Sequence, residues 1–200
     1  MKSNVCKIEK GTKDLVAILK ESENVALYNG FDKKQTLQLR LICEEMDGML
    51  PNIISDFDGE FWIECENGVC KVNVSIDIPD LNINEKEALI NVAKNKKNAA
   101  AVGIVGKIRN VIENLFLDKD NIPTYDMSAL FNLGMESIAS IDSSYMWSLR
   151  KYKTGIAQEK ETEEWDELEK SIIANLADDV IVGVKGKKAN IIVVKKFKWG

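Results

Sequence analysis

Residues 60–77, EFWIECENGVCKVNVSID, constrain the fold more than any other stretch of this chain. Asn67-Gly68 is a strong signal for a two-residue β-turn, because such a turn needs a positive φ at both positions. With the turn placed there, one face of the two strands is apolar and the other is polar. A single register satisfies both conditions, so the sequence predicts a β-hairpin. The predicted pairs on the apolar face are Cys65–Cys70, Ile63–Val72 and Phe61–Val74.

The facing pair Cys65 and Cys70 leaves two interpretations open, a cross-strand disulfide or two reduced thiols in a core. No apolar run approaches the ~20 residues that span a bilayer. The N-terminal stretch MKSNVCKIEKGTKD is too charged for a secretory signal. We therefore expect a cytoplasmic protein without a membrane segment, in which the two thiols stay reduced.

The composition excludes several kinds of chemistry. The chain contains no histidine, which removes Ser-His-Asp and Cys-His catalysis and histidine-ligated metals. Its net charge of −5 argues against a general nucleic-acid binder, which needs a basic face. Any chemistry must therefore come from carboxylates, lysines, hydroxyls, backbone amides or a bound cation.

Helical spacing of apolar residues predicts several helices around the hairpin. The first covers about 12–26 and the second 33–49, with Asp32 as its N-cap, Leu37 on its apolar face and Pro51 ending or bending it. Further helices are predicted at 84–94, 99–116 and 163–177. A short first strand is predicted at 4–9, and VIVGV and NIIVV form a closing hairpin.

This order of elements predicts one domain over 1–200. Residues 117–160 exceed what the resemblance described below requires, which implies an insertion or lid there. Helices, a hairpin, helices and a second hairpin are typical of an α+β fold. We expect a two-layer α/β sandwich, in which helices cover one face of a mostly antiparallel sheet.

Two adjacent carboxylates, Glu44 and Glu45, lie in the second predicted helix. One interpretation is a solvated helix edge. The other is that one of them points into a cleft, where it polarises a water molecule or holds a hydrated cation. Gly48 lowers the stability of a helix, so close packing or a ligand would explain its presence.

The stretch RLICEEMDGM resembles the signature helix of the GHKL ATPase superfamily, which has the Bergerat fold. The closest likeness is to the anti-sigma-factor serine kinases, whose helix reads roughly Leu-x-x-Glu-Glu-x-x-x-Asn. The resemblance places Glu45 at the catalytic glutamate, the general base. It places Met49 at the cation-binding asparagine, and a methionine side chain cannot hold that cation. Mg²⁺ binding is therefore doubtful.

Two later segments extend the resemblance. The family's Asp-x-Gly-x-Gly motif follows a strand and reads the adenine amino group; here SIDIPDLN supplies Asp77 or Asp80 without the glycines. The family's glycine-rich lid is similar in shape to NKKNAAAVGIVGKIRN, a stretch that also resembles a narrower group of bacterial proteins. The phosphate contacts implied there are Lys97, Asn98, Gly103, Gly106 and Lys107.

Residues 96–107 have a second interpretation that involves no ligand. Two glycines three residues apart also suit a helix that packs closely against a neighbour. As a phosphate cradle, the same residues would form a loop whose amides face the ligand at a helix N-terminus. A pair of glycines alone does not decide between these interpretations.

The resemblance implies a degenerate ATP-binding regulatory protein with weak or absent phosphoryl transfer, since the anchor for the cation is missing. ATP is the implied ligand. The alternative is a catalytically inert protein–protein interaction module with a filled nucleotide pocket, which binds a partner such as a transcription regulator and forms a homodimer. A structural domain without any ligand is the third interpretation.

Overall fold

The structure is a computed structural model, and it describes residues 1–11, 15–54, 56–77, 103–117, 146–156, 171–185 and 187–198. Its strands are β1 (Cys6–Glu9), β2 (Asp58–Glu66), β3 (Val69–Asp77), β4 (Met146–Ser148), β5 (Asp179–Lys185) and β6 (Lys188–Lys196). They form one six-stranded sheet in the order β1-β2-β3-β6-β5-β4. Every neighbouring pair is antiparallel.

The hairpin of β2 and β3 has the predicted register, with all three expected pairs facing one another. Asn67 and Gly68 have φ values of 50° and 76°, which are the left-handed values that the tight turn requires. The closing hairpin of β5 and β6 and the short strand β1 are also present as predicted. Pairing of β3 with β6 joins the two hairpins into one sheet.

Cys65 and Cys70 form a disulfide in the structure, so the expectation of two reduced thiols is wrong. The N–H of Cys65 donates to the carbonyl of Met1, and the Cys65 carbonyl accepts from the Met1 amino group. The backbone of Cys65 therefore bonds away from Cys70, which makes this a non-hydrogen-bonded pair. Facing Cα atoms approach most closely in such pairs, and here they are 4.1 Å apart.

The described residues contain five helices. These are α1 (Leu15–Tyr28), α2 (Lys33–Ile53), α3 (Gly103–Leu117), α4 (Leu149–Ile156) and α5 (Ile172–Leu176).

A tight turn joins α1 to α2. Gly30 has a φ of 66°, and the N–H of Phe31 donates to the carbonyl of Ala26 at 3.0 Å. This is the Schellman arrangement that ends many helices. Asp32 then caps α2 through a capping box, as predicted. So short a connection places α1 and α2 side by side in opposite directions, as an αα-hairpin.

Two details of α2 differ from the prediction. The helix continues past Pro51 to Ile53, because a proline in the last turn removes only one late hydrogen bond. Leu37, which was expected on the apolar face, is 56% exposed. Leu39, Ile42 and Met46 occupy the buried side instead.

Several predicted elements lie wholly or partly outside the described residues. The helix predicted at 84–94 lies wholly outside them. Of the helix predicted at 99–116, residues 99–102 lie outside them, and the described part begins at Gly103. The helix predicted at 163–177 is described only from 171 onward. Within 117–160, residues 146–156 form β4 and α4, and β4 pairs with β5 at the edge of the sheet.

The main apolar core lies between the helices and one face of the sheet. Each helix contributes to it, with Ile18, Ile42, Ile108, Leu149 and Ile173 as fully or nearly fully buried examples. A smaller buried cluster on the opposite face of the sheet contains Met146, Ile181, Ile192 and Val194. The α+β class and the antiparallel sheet with helices on one face are as predicted, and they form a two-layer sandwich. No helix in the described ranges has the length and the apolar character needed to cross a membrane.

Candidate functional site

The paired carboxylates of α2 differ in their exposure to solvent. Glu44 is exposed and Glu45 is partly buried. Arg40, one turn before Glu44, pairs with Glu23 of α1 across the outside of the αα-hairpin. Because residues four apart share a helix face, Glu44 belongs to this outer surface. That position agrees with a solvated edge.

Met49 lies in the main core, where it is 6% exposed. The same cluster contains Met46, Leu50 and Ile53 of α2. The side chain at the position of the family's asparagine is therefore packed among apolar neighbours. Asn52, the nearest alternative amide, is exposed.

A Cβ added at Gly48 would meet no atom within 4 Å. Close packing against the described part of the chain therefore does not explain this glycine.

Asp77 ends β3 at the edge of an open cavity of about 370 Å³. Its carboxylate lies 3.4 Å from the ammonium of Lys188, and it faces Asp58 across the hairpin. Asp80, the other candidate adenine reader, lies outside the described residues. The charged side chains that line the cavity are Glu9, Lys10, Asp56, Asp58, Asp77 and Lys187.

The charges around this cavity do not suit a polyphosphate. Among the described residues that line it, carboxylates outnumber lysines, and the nearby Lys188 is already paired with Asp77. An anion entering the cavity would meet like charges within a few ångström, which opposes binding. A phosphate site needs the reverse, namely backbone amides and unpaired cations.

The first turn of α3 has part of the predicted form. Gly103 begins the helix with a φ of 75°, and a Cβ there would meet no atom within 4 Å. Gly103 therefore allows the positive φ at this position; no neighbouring group in the described part of the chain approaches it closely. Gly106 is buried one turn later. Lys97 and Asn98 lie outside the described residues.

Lys107 lies over an aromatic ring of α4. Its ammonium is 4.9 Å from the centre of the Tyr152 ring, and Tyr152 in turn packs on Trp147 at 5.9 Å between ring centres. A cation held over an aromatic face is partly satisfied there. To contact a phosphate, Lys107 would have to give up this interaction.

The structure brings only part of the predicted site together. Helices α2 and α3 contact each other on the same face of the sheet. Among the predicted residues that the structure describes, Asp77 alone lines the cavity at the end of β3. The carboxylates of α2 and the glycines of α3 do not contribute to its wall.

A buried polar cluster at β4, α4 and β5 did not emerge from the sequence. Asp179 is 2% exposed and accepts hydrogen bonds from the Ser148 hydroxyl and from the N–H groups of Arg150 and Val180. Burial lowers the pKa of Lys153, against the opposing charge of Asp179. A serine before a helix is a recognisable N-cap signal, but no local pattern predicts that Ser148 pairs with Asp179, 31 residues later.

The hydrogen bonds of this cluster indicate a structural role. Ser148 caps α4 by accepting from the N–H of Lys151 at 3.4 Å, and Lys153 donates to the carbonyl of Ala174. The Ser148 hydroxyl thus both donates and accepts a hydrogen bond within the cluster, so it is not free to act as a nucleophile. The cluster therefore fastens α4 to the edge of the sheet.

The described residues contain no group of three or more acidic or cysteine side chains placed to hold a metal ion. Comparison of the chain with protein-family models, with curated proteins and with solved structures finds no match. The candidate function therefore depends on the chemistry of the residues described above.

Proposed function

We propose that this chain is a regulatory protein–protein interaction module, built on a sandwich that resembles the Bergerat fold and inert in phosphoryl transfer. The observation that carries this proposal is the burial of Met49 in the main core. In the resembled family this position holds the side chain that anchors the cation. A thioether packed among apolar neighbours supplies neither a ligand nor a space for one.

Electrostatics support the same proposal. Phosphoryl transfer depends on cations that neutralise the charge of the phosphates. Near Asp77 the cavity is predominantly acidic, and Lys107 of α3 lies over Tyr152. Among the described residues, Met49 thus stands in place of the cation anchor, and Lys107 is engaged with an aromatic ring.

Weak nucleotide binding is the second candidate, and Asp77 favours it. This residue ends a strand beside a cavity of about 370 Å³, and the family's adenine-reading aspartate also follows a strand. On this view ATP or a related nucleotide would bind through its base, with Mg²⁺ in a minor role. The charge of the cavity works against the phosphate end of such a ligand.

By analogy with the resembled kinases, the partner is a regulator of transcription and the module acts as a homodimer. This part of the proposal comes from the resemblance, because a fold hosts many functions. The chemistry of the surface that would meet the partner is argued below.

A thermal-shift series separates the two candidates. A nucleotide at ten times its Kd stabilises the folded state by about 1.4 kcal/mol, which raises the Tm of a chain of this size by roughly 3–6 °C. We expect no such shift with millimolar ATP or ADP, with or without Mg²⁺. A rise that Asp77→Ala abolishes and Glu9→Ala preserves would reject the inert module, because both residues line the cavity but only the first is a candidate adenine reader.

A further inference from the structure

The outer face of the αα-hairpin carries large apolar side chains in water. Leu27 is 82% exposed, Tyr28 is 74% exposed and Leu37 is 56% exposed. The first two end α1 and the third lies in the second turn of α2. Single exposed leucines are ordinary, but a contiguous patch of them marks an interaction surface.

The ion pair between Glu23 and Arg40 shows that Leu27 and Leu37 form one patch, and Tyr28 adjoins it as the last residue of α1. It fixes which turn of α1 lies beside which turn of α2. Leu27 follows Glu23 by one turn and Leu37 precedes Arg40 by one turn, and residues so spaced share a helix face. Because the helices run in opposite directions, both steps lead toward the same end, and Leu27 lies beside Leu37.

Positive charge adjoins this patch. Lys33 and Lys34 form the first two positions of α2, directly after the carboxylate of the N-cap residue Asp32. The single Asp32 carboxylate, which accepts the N–H of Gln35 at 2.8 Å, offsets only one of these two positive charges. Both side chains are exposed, and neither is ion-paired to any residue in the described ranges. The whole chain is acidic, at −5, so this is a local departure.

We infer that the hairpin-tip surface, formed by Leu27, Tyr28, Lys33, Lys34 and Leu37, binds an acidic amphipathic helix of a partner protein. The inference rests on the proposed interaction function and names the chemistry of the partner. Apolar side chains of the partner would pack on Leu27 and Leu37 in the groove between α1 and α2. Its carboxylates would meet the two lysines.

Other occupants fit this surface less well. A second copy of the chain docked symmetrically would bring two pairs of lysines together, and like charges at an interface oppose binding. An anionic membrane would suit the lysines, but the Glu23–Arg40 pair one turn from Leu27 would then be pressed against lipid. Carrying a carboxylate toward the acyl chains costs free energy that a protein groove does not demand.

The test uses a fluorescein-labelled helical peptide with leucines at i, i+3, i+4 and i+7 and glutamates at the flanking positions. Fluorescence anisotropy with the full chain should show saturable binding. We expect the double variant L27S/L37S and the double variant K33E/K34E each to weaken binding at least fivefold. Matched controls are Val5→Ser, an exposed apolar residue elsewhere, and Lys7→Glu on β1, and both should leave binding unchanged.

The opposite results are equally well defined. Absence of saturable binding, or equal loss of binding in the control variants, would overturn the inference. So would equal binding of a peptide with lysines in place of glutamates. Binding to vesicles of phosphatidylserine and phosphatidylcholine, without binding to the peptide, would assign the surface to a membrane instead.

This experiment is separate from the test of the proposed function. A nucleotide-dependent thermal shift that requires Asp77 would reject the inert module whatever the peptide does. Failure of the peptide to bind, without any nucleotide shift, would reject only the partner chemistry assigned to the hairpin-tip surface.

Discussion

The hydroxyl of Ser148 donates to the carboxylate of Asp179, 31 residues further along the chain, at 2.9 Å and 3.0 Å from its two oxygens. This contact joins the end of β4 to the start of β5 beside the first turn of α4. The same carboxylate accepts the N–H of Arg150. It also accepts the N–H of Val180 in β5. The buried carboxylate of Asp179 thus accepts hydrogen bonds from β4, α4 and β5.

Replacing Asp179 with alanine should therefore be costly. The substitution leaves the Ser148 hydroxyl and the N–H groups of Arg150 and Val180 without an acceptor in a buried site, and we expect a loss of about 3 kcal/mol in the free energy of unfolding. Urea denaturation measures it. The matched control is Asp178→Ala, since the neighbouring carboxylate is 39% exposed. Its loss should stay near 1 kcal/mol, and equal losses in the two variants would contradict this account.

Replacing each of two glycines with alanine should change the free energy of unfolding in opposite directions. At Gly59 in β2, an added Cβ would overlap the backbone carbonyl oxygen of Ser75 in β3, so Gly59→Ala should destabilise the protein by roughly 2 kcal/mol. At Gly48 in α2, the same Cβ meets open space. Gly48→Ala should therefore stabilise it by about 1 kcal/mol, because alanine is the better helix former. Thermal unfolding of both variants checks the pair, and a gain at Gly59 would refute the close approach of the strands.

The parts of the fold that the sequence predicts correctly are those with local causes. The hairpin at Asn67 follows from turn chemistry and strict alternation, both contained in residues 60–77. The Asp32 cap and the start of α2 have equally local signals. The prediction that Leu37 is buried was wrong because its cause is not local. Helical spacing identifies the residues that share a face, but it does not show which neighbouring element covers that face.

The candidate site was less predictable because it depends on contacts between distant segments. The position of Asp77 beside a cavity agrees with its place at the end of a strand. Whether Met49 fills a core or borders a cleft depends on how α2 packs, and no pattern within α2 specifies that. The Ser148–Asp179 pair was missed for the same reason, since its two halves look unrelated along the chain.

Introducing at position 49 the asparagine of the resembled family should destabilise the protein and should not create a cation site. Met49→Asn places an amide in the core, where a polar group without partners costs free energy and apolar contacts are lost. We expect about 3 kcal/mol of destabilisation in urea denaturation, against less than about 1.5 kcal/mol for the control Met49→Leu, which keeps the volume. A stable Met49→Asn variant whose Tm rises with Mg²⁺ and ATP would contradict the filled pocket and favour the nucleotide candidate.

The thiol of Cys43 should make stability fall at high pH. Burial raises the pKa of Cys43 far above its ordinary range, and Cys6 nearby adds to the rise. The unfolded chain ionises this thiol near pH 8.5 while the folded chain keeps it protonated, so stability is full below that pH and falls above it by up to about 1.4 kcal/mol per pH unit. The difference between wild type and Cys43→Ala, followed by urea denaturation from pH 7 to pH 10, isolates this slope from other groups. Cys6→Ala should retain most of it, because burial is the larger cause. Equal slopes in wild type and Cys43→Ala would show that this thiol is not sealed from water.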